Sequence, residues 1–182
     1  HMQTARQYFE SGTNWTSSTA RQALPILLAL AKEQRKCTYQ ELDREIIRRN
    51  RLPYKDHKRN MGDVLSRIGD MLNMLSTEWQ SELPPLTVLI TGGQSGKPSD
   101  GVDRFLERFA SRGGLGPLKG NRSSIIKNAT QAVYSCSRWD QVAHYFDLEI
   151  PADNIRVQPI TLPMPNVPES QVKESLEHEQ LK

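Results

Sequence analysis

Cysteine is scarce in this 182-residue chain: Cys37 and Cys136 are the only two, and they lie far apart. They make no CxxC pair and no Cys/His spacing suited to zinc, so neither a disulfide framework nor a zinc site is expected. Both read as small buried residues of a reducing compartment, with a bacterial-type cytoplasm as the natural setting. Long apolar runs are missing too. No stretch of about eighteen residues is apolar enough for a membrane span, and the first residues lack the charged-then-apolar pattern of a secretory signal. Histidine numbers four, and no HExxH, GxSxG or paired Cys/His pattern surrounds any of them. No catalytic residue, metal or cofactor is therefore expected in this chain.

One stretch invites a nucleotide-binding reading and then refuses it. "LTVLITGGQSGKPSDG" (86–101) runs from an apolar segment into a glycine-rich loop containing Gly96-Lys97. A phosphate-cradling P-loop needs G-x-x-x-x-G-K-[ST], with a hydroxyl for Mg²⁺ after the lysine. Here Gly92 and Gly96 are one residue too close, Thr91 stands where the first glycine belongs, and Pro98 replaces the hydroxyl. The "PSDG" that follows makes a turn rather than a helix start. Asp100 and Asp103 flank that turn and read as caps.

Charge is modest overall, at +3, but unevenly spread. Residues 35–67 hold ten Lys/Arg against five acids, whereas residues 151–182 hold three against five. A basic concentration of this kind suits a partner with phosphates.

Apolar spacing organises the rest. Residues 18–36 show helical spacing at Leu24, Leu27, Leu28 and Ala31. Residues 37–50 restart with Thr38 as N-cap and Glu41 three residues on, a capping box, with Leu42, Ile46 and Ile47 as the buried stripe. Pro53 must interrupt. Residues 57–79 carry a long stripe from Met61 to Leu75. "LPPLTVLI" (83–90) then predicts a β-type run. Short helices are expected over 101–114, from Ser123 onward and over 138–148. From Glu149 five prolines break any period, which predicts an extended linker. The helix-prone run 169–182 is expected to lead into a following domain.

Helix, helix, turn, helix, strand is the order of a helix-turn-helix with a wing. The expected fold is mainly α with a small β wing (α+β), a winged helix-turn-helix core with a helical extension. Its boundaries are an N-terminal arm (1–17), a DNA-binding domain (18–110), a helical extension (111–148) and a Pro-rich linker (149–182). In such folds the second helix of the pair enters the major groove while flanking basic groups grip phosphates. Arg48, Arg49, Arg51, Lys55 and Lys58 are the phosphate candidates. Arg59 and Asn60 suit base edges, because Arg pairs with guanine and Asn with adenine. Gln94, Ser95 and Lys97 would form the wing tip. Thr38, Tyr39, His57 and Arg67 complete the DNA-facing set, and Lys119, Arg122 and Lys127 would extend a phosphate track.

"KCTYQEL … MGDVLSRIGDML … LPPLTVLITGGQSGKPSDG" resembles a winged-helix module of bacterial nuclease and defence proteins of the restriction type. The resemblance rests on Tyr39, Glu41, Leu42, Gly62, Leu65, Ile68, Leu83 to Thr87, Gly96, Pro98 and Gly101, within residues 18–110. It implies a DNA-binding or targeting role in antiphage restriction, with a nuclease domain elsewhere in the longer protein. The T-Y-x-E-L helix is also similar to the DNA-binding half of alkylguanine alkyltransferase-like proteins. That family's reactive Pro-Cys-His-Arg motif is absent, so alkyl transfer is excluded. The expected partner is duplex DNA, plain or modified, with a second copy of the chain as a further partner and no membrane. Two other classes stay open: a protein-interaction module using Met71, Met74, Leu75 and Trp79, and an enzyme with a site in residues 100–148.

Overall fold

The stripe at Leu24, Leu27, Leu28 and Ala31 becomes the centre of the molecule. A computed structural model describes residues 2–52, 61–112 and 121–157. In it the second helix, α2 (Trp15–Glu33), is buried along most of its length from Ser17 to Ala31. Asn14 caps its start by accepting from the Ser17 N–H at 2.8 Å. Pro25 removes one ladder donor from its interior, a cost of about 3 kcal/mol that burial around the helix outweighs. α1 (Ala5–Glu10) and α4 (Met61–Glu78) pack on one side of α2, and α3 (Tyr39–Arg49), α6 (Arg122–Ser135) and α7 (Trp139–Tyr145) contact it elsewhere. α5 (Asp103–Arg112) packs against α6, and no helix among the described residues is long and apolar enough to cross a membrane.

The fold is therefore mostly helical with a small sheet, consistent with an α+β class. That sheet pairs β1 (Cys37–Thr38) with β2 (Ile90–Thr91) in parallel, with Cys37 opposite Ile90 and Thr38 opposite Thr91. Among the described residues no strand returns from the glycine loop to make an antiparallel wing.

Three sequence expectations change. The β-type run over 83–90 is a 3-10 turn at Leu86–Leu89 that reaches strand geometry only at Ile90. Pro84 and Pro85 cannot donate to a ladder, and every residue from Leu83 to Thr91 is buried, leaving no alternating face. The segment read as an N-terminal arm holds α1, whose Ala5 and Phe9 are buried and whose start is a capping box of Thr4 and Gln7. The beginning of the supposed linker also belongs to the body. Ile155 is 1% exposed, and its backbone accepts from Arg35 at 3.0 Å.

The helix expected over 57–79 is α4 from Met61, since residues 57–60 lie outside the described residues. Its mid-helix Gly69 faces the ring of Phe105, and a Cβ there would overlap that ring. Gly69→Ala is expected to destabilise the fold by about 1–3 kcal/mol in urea unfolding, the usual range for overpacking. Gly93→Ala, with open space at its Cβ, is expected to leave the midpoint nearly unchanged.

Candidate nucleic-acid interface

The expected capping box forms at the head of α3. Thr38 Oγ1 accepts from the Glu41 N–H at 3.1 Å and Glu41 Oε1 accepts from the Thr38 N–H at 2.8 Å. Tyr39 follows, its hydroxyl accepting the Ser99 N–H at 3.1 Å. Both side chains therefore fasten α3 to the chain around it.

The arginines at the other end of α3 converge on one carboxylate. Glu45 is 2% exposed and accepts from Arg48 at 2.8 and 3.0 Å and from Arg49 at 2.9 Å. Arg49 also holds Asp153 at 3.0 Å, and Arg48 approaches the same carboxylate at 3.7 Å. Burial alone would push the Glu45 carboxyl up, but the hydrogen bonds from Arg48 and Arg49 outweigh it and hold the group below the ordinary glutamate value. Both guanidinium groups thus already face carboxylates. Arg51, exposed at a left-handed φ of 51°, forms no ion pair with a described residue. Lys55, His57, Lys58, Arg59 and Asn60 lie outside the described residues, as does Lys119.

Arg67 lies away from this end. Its Nη2 donates to the carbonyls of Tyr8 at 2.6 Å and Ser11 at 2.8 Å, and its guanidinium lies over the Tyr8 ring. It ties α4 to the α1–α2 connection. Arg122 bonds Asp103 at 2.9 Å and the carbonyls of Pro98 and Ser99, fixing the 98–103 turn to α6.

The glycine loop closes on itself. Gly92 donates to the Lys97 carbonyl at 2.9 Å and Gly96 to the Gly92 carbonyl at 3.0 Å. Gln94 and Ser95 are exposed at its tip, while Lys97 Nζ leans to Ser123 Oγ at 3.2 Å on α6. This brings together a group that linear spacing does not reveal. Lys36 at the entry to β1, Lys97 of the loop and Lys127 of α6 line one cleft of about 270 Å³ with Ser123, Thr130 and Gln131, and no acidic side chain among the described residues lines it. None of the three lysines pairs with a described carboxylate. Partial burial lowers the affinity of the Lys36 ammonium for its proton below that of an ordinary lysine. The adjoining groove, about 580 Å³, runs along the glycine loop; among the described residues its one lining acid is Glu41, engaged in the cap. Lys36 belongs to the basic stretch 35–67, but only the parallel β1–β2 pairing sets it beside Lys97.

The surface suspected of protein docking is mostly interior. Met71 and Leu75 are 0% exposed, Met74 and Trp79 pack on the core, and the large exposed hydrophobics among the described residues are Met2 and Leu52. Cys37 is buried and its thiol is pushed up to about 12, first by burial and then by Glu41 and Glu45, so it is no nucleophile at neutral pH.

The Glu45 cluster sets a pH dependence. Because its folded pKa is depressed, its stabilisation is present above the unfolded glutamate pKa and is lost as pH falls through the folded value. Glu45→Ala is expected to cost about 1–3 kcal/mol at pH 7. The gap between wild type and variant should close as urea melts are repeated at pH values falling below about 4.

No protein-family model, curated protein or solved structure matches this chain.

Proposed function

We propose that this domain binds duplex DNA through its phosphates and serves as the targeting part of a larger restriction-type nuclease or defence protein. The observation that carries the DNA reading is the convergence of Lys36, Lys97 and Lys127 from three separate elements on one cleft that no described acidic side chain lines. Three lysines that meet no described carboxylate give the cleft a positive lining, and a polyanion seated there would release its own counterions. The cleft also borders the glycine loop, whose exposed Gln94 and Ser95 suit a wing tip beside a strand.

In this reading α2, α3 and α4 are the three-helix core of a winged helix. β1 and β2 replace the usual hairpin base, and the 92–97 loop acts as a short wing. Arg48 and Arg49 then support the body through Glu45, and the grip moves to the lysine cleft and Arg51. The wider role in restriction rests on the motif resemblance of residues 39–101.

Anisotropy of a labelled duplex between 50 and 200 mM salt tests the proposal. Wild type is expected to lose affinity with salt along a log–log line. Replacing each lysine by alanine at positions 36, 97 and 127 should flatten the slope by about 0.9 for every phosphate left without its cation. A triple variant with wild-type affinity and slope would remove the cleft from any role in DNA binding.

A further inference from the structure

A second cavity opens beside the lysine cleft, between the heads of α3 and α4 and the 98–105 turn. Its volume is about 290 Å³, close to the lower limit of small-molecule pockets, about 300 Å³. Exposed Asp63, Ser99 and Gly101 stand among its lining residues, and Thr87, Pro98 and Phe105 form its buried part. Sequence neighbours link the two sites. Tyr39 and Pro98 line the cavity, while Thr38 and Lys97 line the basic groove and cleft.

Three polar side chains of this cavity have no partner among the described residues. Thr87 is 3% exposed, yet its hydroxyl makes no hydrogen bond with a described residue, and the same holds for the side chains of Asp63 and Ser66. The cavity leaves these groups open to water, so an occupant that can bond with them replaces that water without leaving a polar atom unpaired. Asp63 disfavours an anion and calls for an edge that donates protons. Phe105 and Pro98 offer apolar surface to a flat body. A ring with amino or ring N–H donors on one edge meets both demands.

We propose that this cavity receives a single nucleobase turned out of a DNA strand whose phosphates lie on the neighbouring lysines. The inference rests on the DNA-binding reading and adds to it a base-sized pocket. Asp63 would accept from an exocyclic amine, the interaction by which an acidic side chain reads cytosine, and Thr87 would bond the inner edge. Turning the base out costs a few kcal/mol of stacking and pairing, least at a mismatched or altered base. The pocket would thereby favour DNA whose stacking is already weakened.

The experiment uses the full chain and duplexes carrying 2-aminopurine beside a central base, matched or mismatched. Anisotropy reads binding, and 2-aminopurine emission reads loss of stacking. Emission is expected to rise several-fold at saturation, more at the mismatch. Thr87→Val and the rim variant Asp63→Ala are expected to abolish the rise and to weaken mismatch binding by about tenfold, the worth of one hydrogen bond to a base edge. Lys97→Ala should weaken binding while leaving the emission rise intact once the duplex is saturated. Binding without any rise in emission, or a rise unchanged in Asp63→Ala, overturns the pocket and leaves the DNA reading standing. Absence of binding in anisotropy overturns both.

Discussion

The burial of α2 is the constraint on which the other features depend. A helix whose Ala20, Ala23, Leu24, Leu27, Leu28, Leu30 and Ala31 are all 0% exposed needs apolar neighbours in several directions at once. α1, α3, α4, α6, α7 and the Leu86–Leu89 turn supply them. That requirement draws the 83–91 run into the interior, and the run then delivers β2 alongside β1. The glycine loop leaves from β2, so its position beside Lys36 and α6 follows from the packing around α2. Both candidate sites lie where this buried run reaches the surface again.

Most of the bridging ion pairs belong to arginine, with Lys32 on Asp140 the lysine counterpart among the described residues. Arg6, Arg35, Arg48, Arg49, Arg104, Arg108 and Arg122 each hold a carboxylate, several with two nitrogens or with a backbone carbonyl as well. The planar fork of guanidinium suits such bridging between elements, whereas the ammonium of lysine stays hydrated and adaptable. Lys36, Lys97 and Lys127 have no such partner among the described residues. A basic count along the chain therefore overstates the charge that Arg48 and Arg49 offer to a partner and misses the grouping of lysines beside the glycine loop. The Glu45 cluster illustrates the first half of this: a buried acid keeps Arg48 and Arg49 at the surface of the body and, through Asp153, clasps residues 150–157 to α3.

Much of the helical framework is legible in the sequence. The capping box of Thr38 and Glu41, the stripe from Met61 to Leu75, and the short amphipathic runs around Phe105 and Trp139 are local patterns of period 3.6, and local hydrogen bonding satisfies them. The 83–90 run escapes such a reading because an unbroken apolar segment has no period, and prolines at 84 and 85 bias it only toward extension. α1 is hidden because six residues offer less than two turns of pattern. The order over 150–157 is hidden because it depends on Ile155 and Asp153 finding partners more than a hundred residues away.

By itself the sequence determined the capped start of α3, the apolar stripes of α2 and α4, and that the glycine loop lacks the spacing of a nucleotide cradle. Those are properties of neighbouring residues and of their side-chain chemistry. Only the tertiary structure decided which charges are neutralised and which stand open, because ion pairing and cavity walls join residues that the chain keeps far apart. Tyr39, Gly62, Thr87, Pro98 and Gly101 are scattered across more than sixty positions, yet they line one cavity. They meet there because the packing of α3 and α4 on α2 brings the heads of both helices against the turn that follows β2.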